Sequence, residues 1–392
     1  MKKNNYSTVI DFGSDNLRLS VFNRDSKNIF SSSQQIVDKN NFEEHSKSLN
    51  FLIRNTEKKI ASHLESIVVL YDNKDFFSVD ISIKKTFDQP ILFKDIYFSL
   101  IREANLLIIN NYVKDKIIHL VPIKYIIDGK DYFKKIKDED KLNSIVIEIK
   151  FICINWNIYN KILNIFKNNN LQILNMYCSS YVKFFSYINS FKEYNYLTFL
   201  DIGWERSTII SYNKNQPIYF NTISIGGNHV TKDISKILNL NLSDSEKIKK
   251  SFNKSEIEFS FYQENLEGKK NLIKEIIGKD ISTDLLRKVV LARVEEIINL
   301  AFKDMPFSKD LNNSPNSTLV LTGNGSHLFN ENSFHLNIEY DFKEISFYEE
   351  SDSEICNAGY FYNRIESQEM KFIKKNNKKT GFFEKFFNLF SK

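Results

Sequence analysis

Two segments 190 residues apart carry one pattern, and it constrains the fold of this chain more than any other feature. In the first, Val9 to Asn23, an apolar run ends in Asp11-Phe12-Gly13, and a second run follows in which Leu17, Leu19 and Val21 alternate. In the second, Phe199 to Asn213, the same run ends in Asp201-Ile202-Gly203 and a second strand-like stretch follows. Alternation over short lengths, broken by a glycine turn, predicts a strand-turn-strand unit. An isolated Asp-x-Gly is usually only a turn. Its recurrence in equivalent halves points to a duplicated hairpin with an aspartate at each turn.

The chemistry that such hairpins suit is anion binding. Glycine lets a turn bring backbone N–H groups close to an anion, and an aspartate at a strand end can hold a hydrated divalent metal. Two hairpins facing each other can clamp a nucleotide's phosphates from both sides. The residues that would do so are Asp11, Gly13, Ser14 and Asn16 in one and Asp201 and Gly203 in the other, with Asp11 and Asp201 as the metal candidates. Two further turns join them. Ile225-Gly226-Gly227 leads into a helical stretch, and Ser317 to Thr322 reads as a strand entering the turn Gly323-Asn324-Gly325, where a flat base can lie against the backbone. Glu246 and Lys249, three apart on one helical face, are within reach of ribose hydroxyls. Read singly, they are a solvated pair.

Composition narrows the class. With 392 residues, 42% hydrophobic and 26% charged, the chain can bury large cores in two or three domains. Eleven Gly and five Pro exclude a collagen-like or low-complexity chain. Three scattered cysteines, Cys153, Cys178 and Cys356, make neither a disulfide framework nor a zinc site, which fits a reducing compartment. Cys178 reads as a buried thiol. The six histidines show no metal-ligand spacing, and His119 and His229 read as structural. No secretory signal is visible at the amino terminus, and no run of about 18 apolar residues is present to span a membrane.

The charge is localised. Of the net +5, residues 371–392 contribute seven Lys and one Glu, so the rest of the chain sums to −1. A nearly neutral body excludes a general nucleic-acid binder. After the lysine-rich spacer comes Gly381, and then a stretch that splits on a helical wheel. Phe382, Phe383, Phe386, Phe387, Leu389 and Phe390 fill an arc of roughly 160°, while Glu384, Lys385, Asn388, Ser391 and Lys392 fill the rest. A terminal amphipathic helix fed by a basic linker is expected to lie in a membrane interface, with each nearby Lys adding about 1 kcal/mol on an anionic leaflet. The alternative is a last helix docked on the protein's own core, against which the polar, lysine-rich spacer argues.

Taken in order, the two Asp-x-Gly hairpins, Gly-Gly-x-x-x-Thr-x-Asp-Ile, Glu-x-x-Lys and Leu-Thr-Gly-x-Gly resemble the actin-like ATPase superfamily. Within it the chain is similar to the FtsA family of bacterial cell-division proteins. Ile118 to Gly129 resembles that family's His-x-x-Pro-x-x-Tyr-x-x-Asp segment. Gly227 to Ile234 matches its Gly-Asn-x-Val-Thr-x-Asp-Ile, Arg293 to Leu300 matches a helix of its upper lobe, and the terminal amphipathic helix is a further hallmark.

The resemblance implies an α/β, two-lobed actin-like fold with a relocated inserted subdomain and a C-terminal amphipathic helix. The lower lobe would be 1–191, with its core at 1–80 and 156–191 and the insertion at 81–155. The upper lobe would be 192–353, with its core at 192–228 and 305–353 and a second subdomain at 229–304. A return at 354–371, a basic linker at 372–380 and the membrane helix at 381–392 complete the chain. Helical periodicity in Leu92–Asn111 and Leu285–Phe302 is compatible with this.

The same resemblance implies ATP and Mg as ligands, and anchorage of FtsZ filaments at the inner face of the cytoplasmic membrane, at the septum. It further implies self-association into filaments, an anionic membrane surface and other divisome proteins as partners, and no nucleic acid. Arg287, Lys288 and Arg293 would meet the C-terminal peptide of FtsZ. The chain departs from the family in one place that matters. The second hairpin usually continues Gly-Gly-Thr-Thr, and here Gly203 is followed by Trp204, Glu205 and Arg206. That weakens the expected phosphate cradle, unless Arg206 pairs with a phosphate. The segment Tyr177 to Tyr181 also offers no carboxylate or amide to position an attacking water. A non-enzymatic adaptor is expected. The alternatives are a PilM-type pilus-assembly adaptor, which typically lacks the terminal anchor, and an active actin-like ATPase.

Overall fold

The computed structural model describes residues 6–36, 42–132, 136–213, 216–252, 283–303, 305, 316–328 and 342–376. The first hairpin is β1 (Ser7–Phe12) and β2 (Asn16–Phe22), antiparallel, with Asp11 opposite Arg18. β3 (Asn28–Gln35) continues the meander. The chain then crosses through α1 (Phe42–Ile60) to β4 (Ser66–Tyr71), which pairs parallel with β1. Burial of β1 and β4 on both faces accounts for their unbroken apolar runs, as expected of strands covered on either side.

The path leaves this sheet to build another. β5 (Phe76–Leu92), α2 (Phe93–Asn111), β6 (Asp115–Ile127), β7 (Lys130–Tyr132) and β8 (Lys141–Asn155) form an antiparallel sheet in the order β5-β8-β6-β7. One of its faces is covered by Leu100, Ala104 and Ile108 of α2. The helix begins one residue after the periodicity predicted. α3 (Trp156–Asn168) then leads back to β9 (Gln172–Cys178), parallel to β4, which completes a five-stranded sheet in the order β3-β2-β1-β4-β9.

After α4 (Ser179–Tyr187) the chain repeats the scheme. β10 (Tyr196–Ile202) and β11 (Ser207–Asn213) form the second hairpin, and β12 (Gln216–Ile223) extends it. α5 (Gly227–Ile237), α6 (Leu242–Phe252) and α7 (Thr283–Phe302) precede β13 (Ser317–Thr322), parallel to β10, and β14 (Glu344–Phe347), parallel to β13. The order β12-β11-β10-β13-β14 reproduces that of the first sheet, with the same sequence of antiparallel and parallel pairings. The duplicated hairpin in the sequence is thus a duplicated sheet.

The sheets meet through α4. One face of β10 contributes Leu197 and Phe199 to the core of the first sheet, while Leu200 and Ile202 on its other face pack toward α5 and α7. The Phe184 ring stacks on Phe199 with centroids 5.0 Å apart. Seven of the nine residues of α4 are buried, Lys183 among them. A helix covered on nearly every side leaves a charged residue little access to water, so it must be paired inside.

The last described element, α8 (Asp352–Asn376), returns to the first sheet, where Tyr360 stacks on Phe22 at 4.2 Å. It lies so close to β4 that a Cβ on Gly359 would come within 2.9 Å of Leu70. α8 runs to Asn376, so the first five residues of the expected linker are helical. The expected membrane-binding residues Phe382, Phe383, Phe386, Phe387, Leu389 and Phe390 lie outside the described residues. Among the described residues no helix is long and apolar enough to cross a membrane.

Candidate functional site

The turns of both hairpins open on one cleft of about 700 Å³ between the two five-stranded sheets. Twelve of the thirteen residues expected at a nucleotide site line it: Asp11, Gly13, Ser14, Asn16, Asp201, Gly203, Gly227, Glu246, Lys249, Gly323, Asn324 and Gly325. Gly226 does not. It packs behind the second hairpin, where a Cβ would come within 2.5 Å of the Gly203 carbonyl oxygen.

The carboxylates on the cleft floor are engaged by the protein itself. Asp11 accepts from Arg18 Nη1 at 3.0 Å and from Ser179 Oγ at 2.9 Å. Arg18 Nε also donates to Asp352 at 2.7 Å. Asp201 Oδ2 lies 2.9 Å from Lys183 Nζ, which is also 2.9 Å from Glu350 Oε1. Burial by itself would disfavour the Lys183 charge, but Asp201 and Glu350 outweigh it and hold the ammonium's pKa above its ordinary value. Burial pushes the Glu350 carboxyl up, opposed by Lys183. Gly323, at φ +82°, is required beside Asp201, because any Cβ there would fall 2.3 Å from Asp201 Oδ1.

The second turn is folded onto its own lobe. Gly203 N donates to Arg206 O at 2.9 Å, closing the turn. The first amides of α5, which a phosphate would seek, are taken by that turn: Gly227 N donates to Gly203 O at 2.9 Å and Asn228 N to Trp204 O at 2.8 Å. The Arg206 guanidinium, which could have compensated by pairing with a phosphate, is engaged within the protein. It is buried, pairs with Asp72 just after β4 and sits 5.3 Å from the Phe76 ring centroid. Burial raises the Asp72 carboxyl pKa, and Arg206 opposes that rise. Glu205 leans toward Lys74 at 3.7 Å.

Glu246 and Lys249 are not a solvated pair. Lys249 Nζ is buried and donates to Gly227 O at 2.9 Å, to Thr231 Oγ1 at 2.8 Å and to Glu246 Oε2 at 2.7 Å. The Trp204 ring covers it, with the centroid 4.7 Å away. The residue that breaks the glycine pattern of the second hairpin therefore lies on the lysine expected to reach a ribose.

The other expected residues have structural surroundings. His119 Nε2 accepts from the Cys178 amide at 2.9 Å, which leaves Nδ1 as the protonated nitrogen facing Tyr362 Oη at 3.4 Å; burial lowers its pKa to about 3. His229 Nδ1 accepts from Gly226 N at the start of α5. Burial pushes the Cys178 thiol up to about 11, which fits an inert side chain. On α7, Arg293 grips Asp233 of α5 through two bonds of 2.6 and 3.0 Å and also reaches Glu296, so its charge ties two helices together. Arg287 is half-buried and Lys288 exposed on the same helix.

Several residues that define the cleft escaped sequence reasoning. Arg18 had a signal: a turn at Gly13–Asp15 places residue 18 opposite residue 11 in the hairpin register. Lys183, Glu350 and Asp72 had none, since each meets its partner only after the two sheets close.

Residues 198–328, about a third of the chain, match the family model described as "Cell division protein FtsA". No curated protein matches in sequence. Among solved structures, the chain is similar to one titled "PilM-PilN type IV pilus biogenesis complex", with TM-score 0.57 and 13% identity over 90% of this chain and 94% of that one. It is also similar, at TM-score 0.49 and 11% identity over 96% of this chain and 99% of the other, to MreB5 of Spiroplasma citri bound to ADP. The duplicated hairpin sheets around a shared cleft and the likeness in structure give the chain the actin-like ATPase fold, and over 198–328 it is similar to the FtsA family.

Proposed function

We propose that the protein is a membrane-peripheral cell-division adaptor. Its body would bind FtsZ filaments and further copies of itself, and its tail would hold the assembly on the inner leaflet at the septum. The observation that carries an adaptor over an enzyme is the internal pairing of the cleft: Asp11, Asp201, Arg206, Glu246 and Lys249 each already have protein partners. Phosphoryl transfer needs such groups directed at phosphate, metal and water. The expected division of the chain into lobes, insertion, linker and anchor belongs to the same proposal, as does weakened ATP binding by the twelve lining residues.

A surface suited to a protein partner lies on the sheet between β4 and β9. Phe98, Leu106 and Ile109 of α2, with Val113 just beyond, are exposed by 48% or more and fall on one stripe of the helix. This stripe supports self-association. The FtsZ peptide would meet Arg287 and Lys288, with Arg293 supporting the surface through its bond to α5.

The anchor rests on avidity, because one amphipathic helix holds lipid reversibly while many on a polymer hold it firmly. Deleting 381–392 is expected to abolish co-sedimentation with anionic vesicles while leaving the thermal melt unchanged, and Phe386→Glu to weaken binding nearly as much. Undiminished binding by the deleted chain would refute the anchor. A second reading, a PilM-type adaptor, is favoured by the TM-score of 0.57 over nine-tenths of the chain. A pull-down with the FtsZ tail peptide, with and without ATP, separates the two: capture supports the division adaptor, and no capture supports the pilus type.

A further inference from the structure

The fold implies a magnesium-bound nucleotide in this cleft, and the donor set can be tested for fit. A hydrated Mg2+ needs carboxylates that face the cleft without a competing cation, since it keeps several waters and binds through one or two acidic groups. Asp11 and Asp201 are the candidates, and each has a protein cation within 3.0 Å. Among the described residues no group of three or more His, Cys, Asp or Glu is arranged to hold a metal. The residues present do not fit the ion.

Lys183 gives the misfit its meaning. Its ammonium stands between Asp201 on β10 and Glu350 just after β14, at 2.9 Å from each, with the lysine side chain only 6% exposed. It arrives from α4, on the side of the first sheet, and so crosses to the second. Arg206 makes the reverse crossing to Asp72, and Asn324 Nδ2 reaches Asp15 at 3.4 Å. We infer that Lys183 takes the place of a divalent cation in this cleft, joining the lobes by a side-chain charge rather than by metal and nucleotide. The inference rests on the reading of Asp11 and Asp201 as the residues that would face a metal.

Two physical arguments support it. A metal entering at Asp201 would have to displace a largely buried ammonium from one of its two carboxylates, leaving Lys183 with Glu350 alone. A polyphosphate arriving without a metal would meet a lining with eight carboxylates against five Lys and Arg. Neither a divalent cation nor its nucleotide complex is therefore needed to hold the two sheets at this separation.

The test uses the full chain, stripped with EDTA and titrated with Mn2+ while free Mn2+ is followed by electron paramagnetic resonance, with and without ATP. The wild type is expected to take up no stoichiometric Mn2+ in either case, and to melt at the same temperature in EDTA as in Mg2+. Lys183→Met, which keeps the length of the stem and removes the charge, is expected to create a Mn2+ site that a second change, Asp201→Asn, removes. Lys183→Arg, retaining the cation, is expected to stay indifferent to Mn2+. Stoichiometric uptake by the wild type would overturn the inference whether or not Lys183→Met folds, and so would a folded Lys183→Met chain that takes up none. Vesicle binding by the same preparations reports on the anchor alone, so failure of one reading is distinguishable from failure of the other.

Discussion

The two hairpins share a topology and differ in everything their turns do. β1–β2 meets its own need locally: Asp11 and Arg18 face each other across the strand pair, and the turn Gly13-Ser14-Asp15 is left lining the cleft. β10–β11 has Thr208 opposite Asp201, so its aspartate takes a cation from α4 instead. Its turn is occupied by Trp204 on Lys249, Glu205 toward Lys74 and Arg206 on Asp72. The lesson is that the sheet needs only the strand pattern and the glycine, and the residues after the glycine are free to change the chemistry. A duplicated fold can therefore keep both halves of a clamp in shape while one half closes on itself.

The largest expected effect on that contrast comes from Arg206→Met, because the cation is buried and bridges the two sheets. Leaving Asp72 without it should cost about 3 kcal/mol in urea unfolding at pH 8. The sign of the pH dependence follows from Asp72. Its folded pKa is raised by burial, so its contribution to stability is present at low pH and is lost as pH rises through the folded pKa. In the variant, which lacks the opposing Arg206, the loss should shrink on moving from pH 8 to pH 5. An equal loss at both pH values would show that the packing on Phe76, not the charge pair, is what Arg206 supplies.

Arg18→Met probes the first hairpin in the same way and should cost less, about 2 kcal/mol. Asp11 keeps the Ser179 hydroxyl, and the Arg18 side chain is 16% exposed, so water can follow the vacated guanidinium. Matched urea melts of the two variants measure the difference between the hairpins directly; a larger loss for Arg18→Met would reverse the comparison. The smallest effect is expected from Trp204→Gly, which puts back the family's glycine. Loss of the ring over Lys249 should cost about 1 kcal/mol. Because the variant uncovers the lysine, equilibrium dialysis with labelled ATP should show tighter binding than in the wild type. Unchanged binding would mean that the ion pairs, not the indole, keep nucleotide out.

Much of the fold was legible in one dimension. Alternation and glycine turns marked both hairpins, and apolar periodicity in Leu92–Asn111 and Leu285–Phe302 located α2 and α7 to within two residues at their starts. These signals are local, because a strand or helix writes its buried face into residues two, three or four apart. The cleft was legible as a list of residues and illegible as a set of contacts. Glu246 and Lys249 were placed on one helical face, yet nothing nearby showed that Thr231, Gly227 and Trp204 would enclose the lysine. Lys183 looked like any lysine between Val182 and Phe184 until its helix was buried between two sheets.

The sequence by itself determined the duplicated strand pattern, the near-neutral body and the amphipathic character of 381–392, since each depends on residues close together in the chain. The tertiary structure alone decided which charges face each other. Asp72 and Arg206 are 134 positions apart, and Lys183 and Glu350 are 167 apart. Coulomb attraction acts over a few ångströms in space and takes no account of separation along the chain.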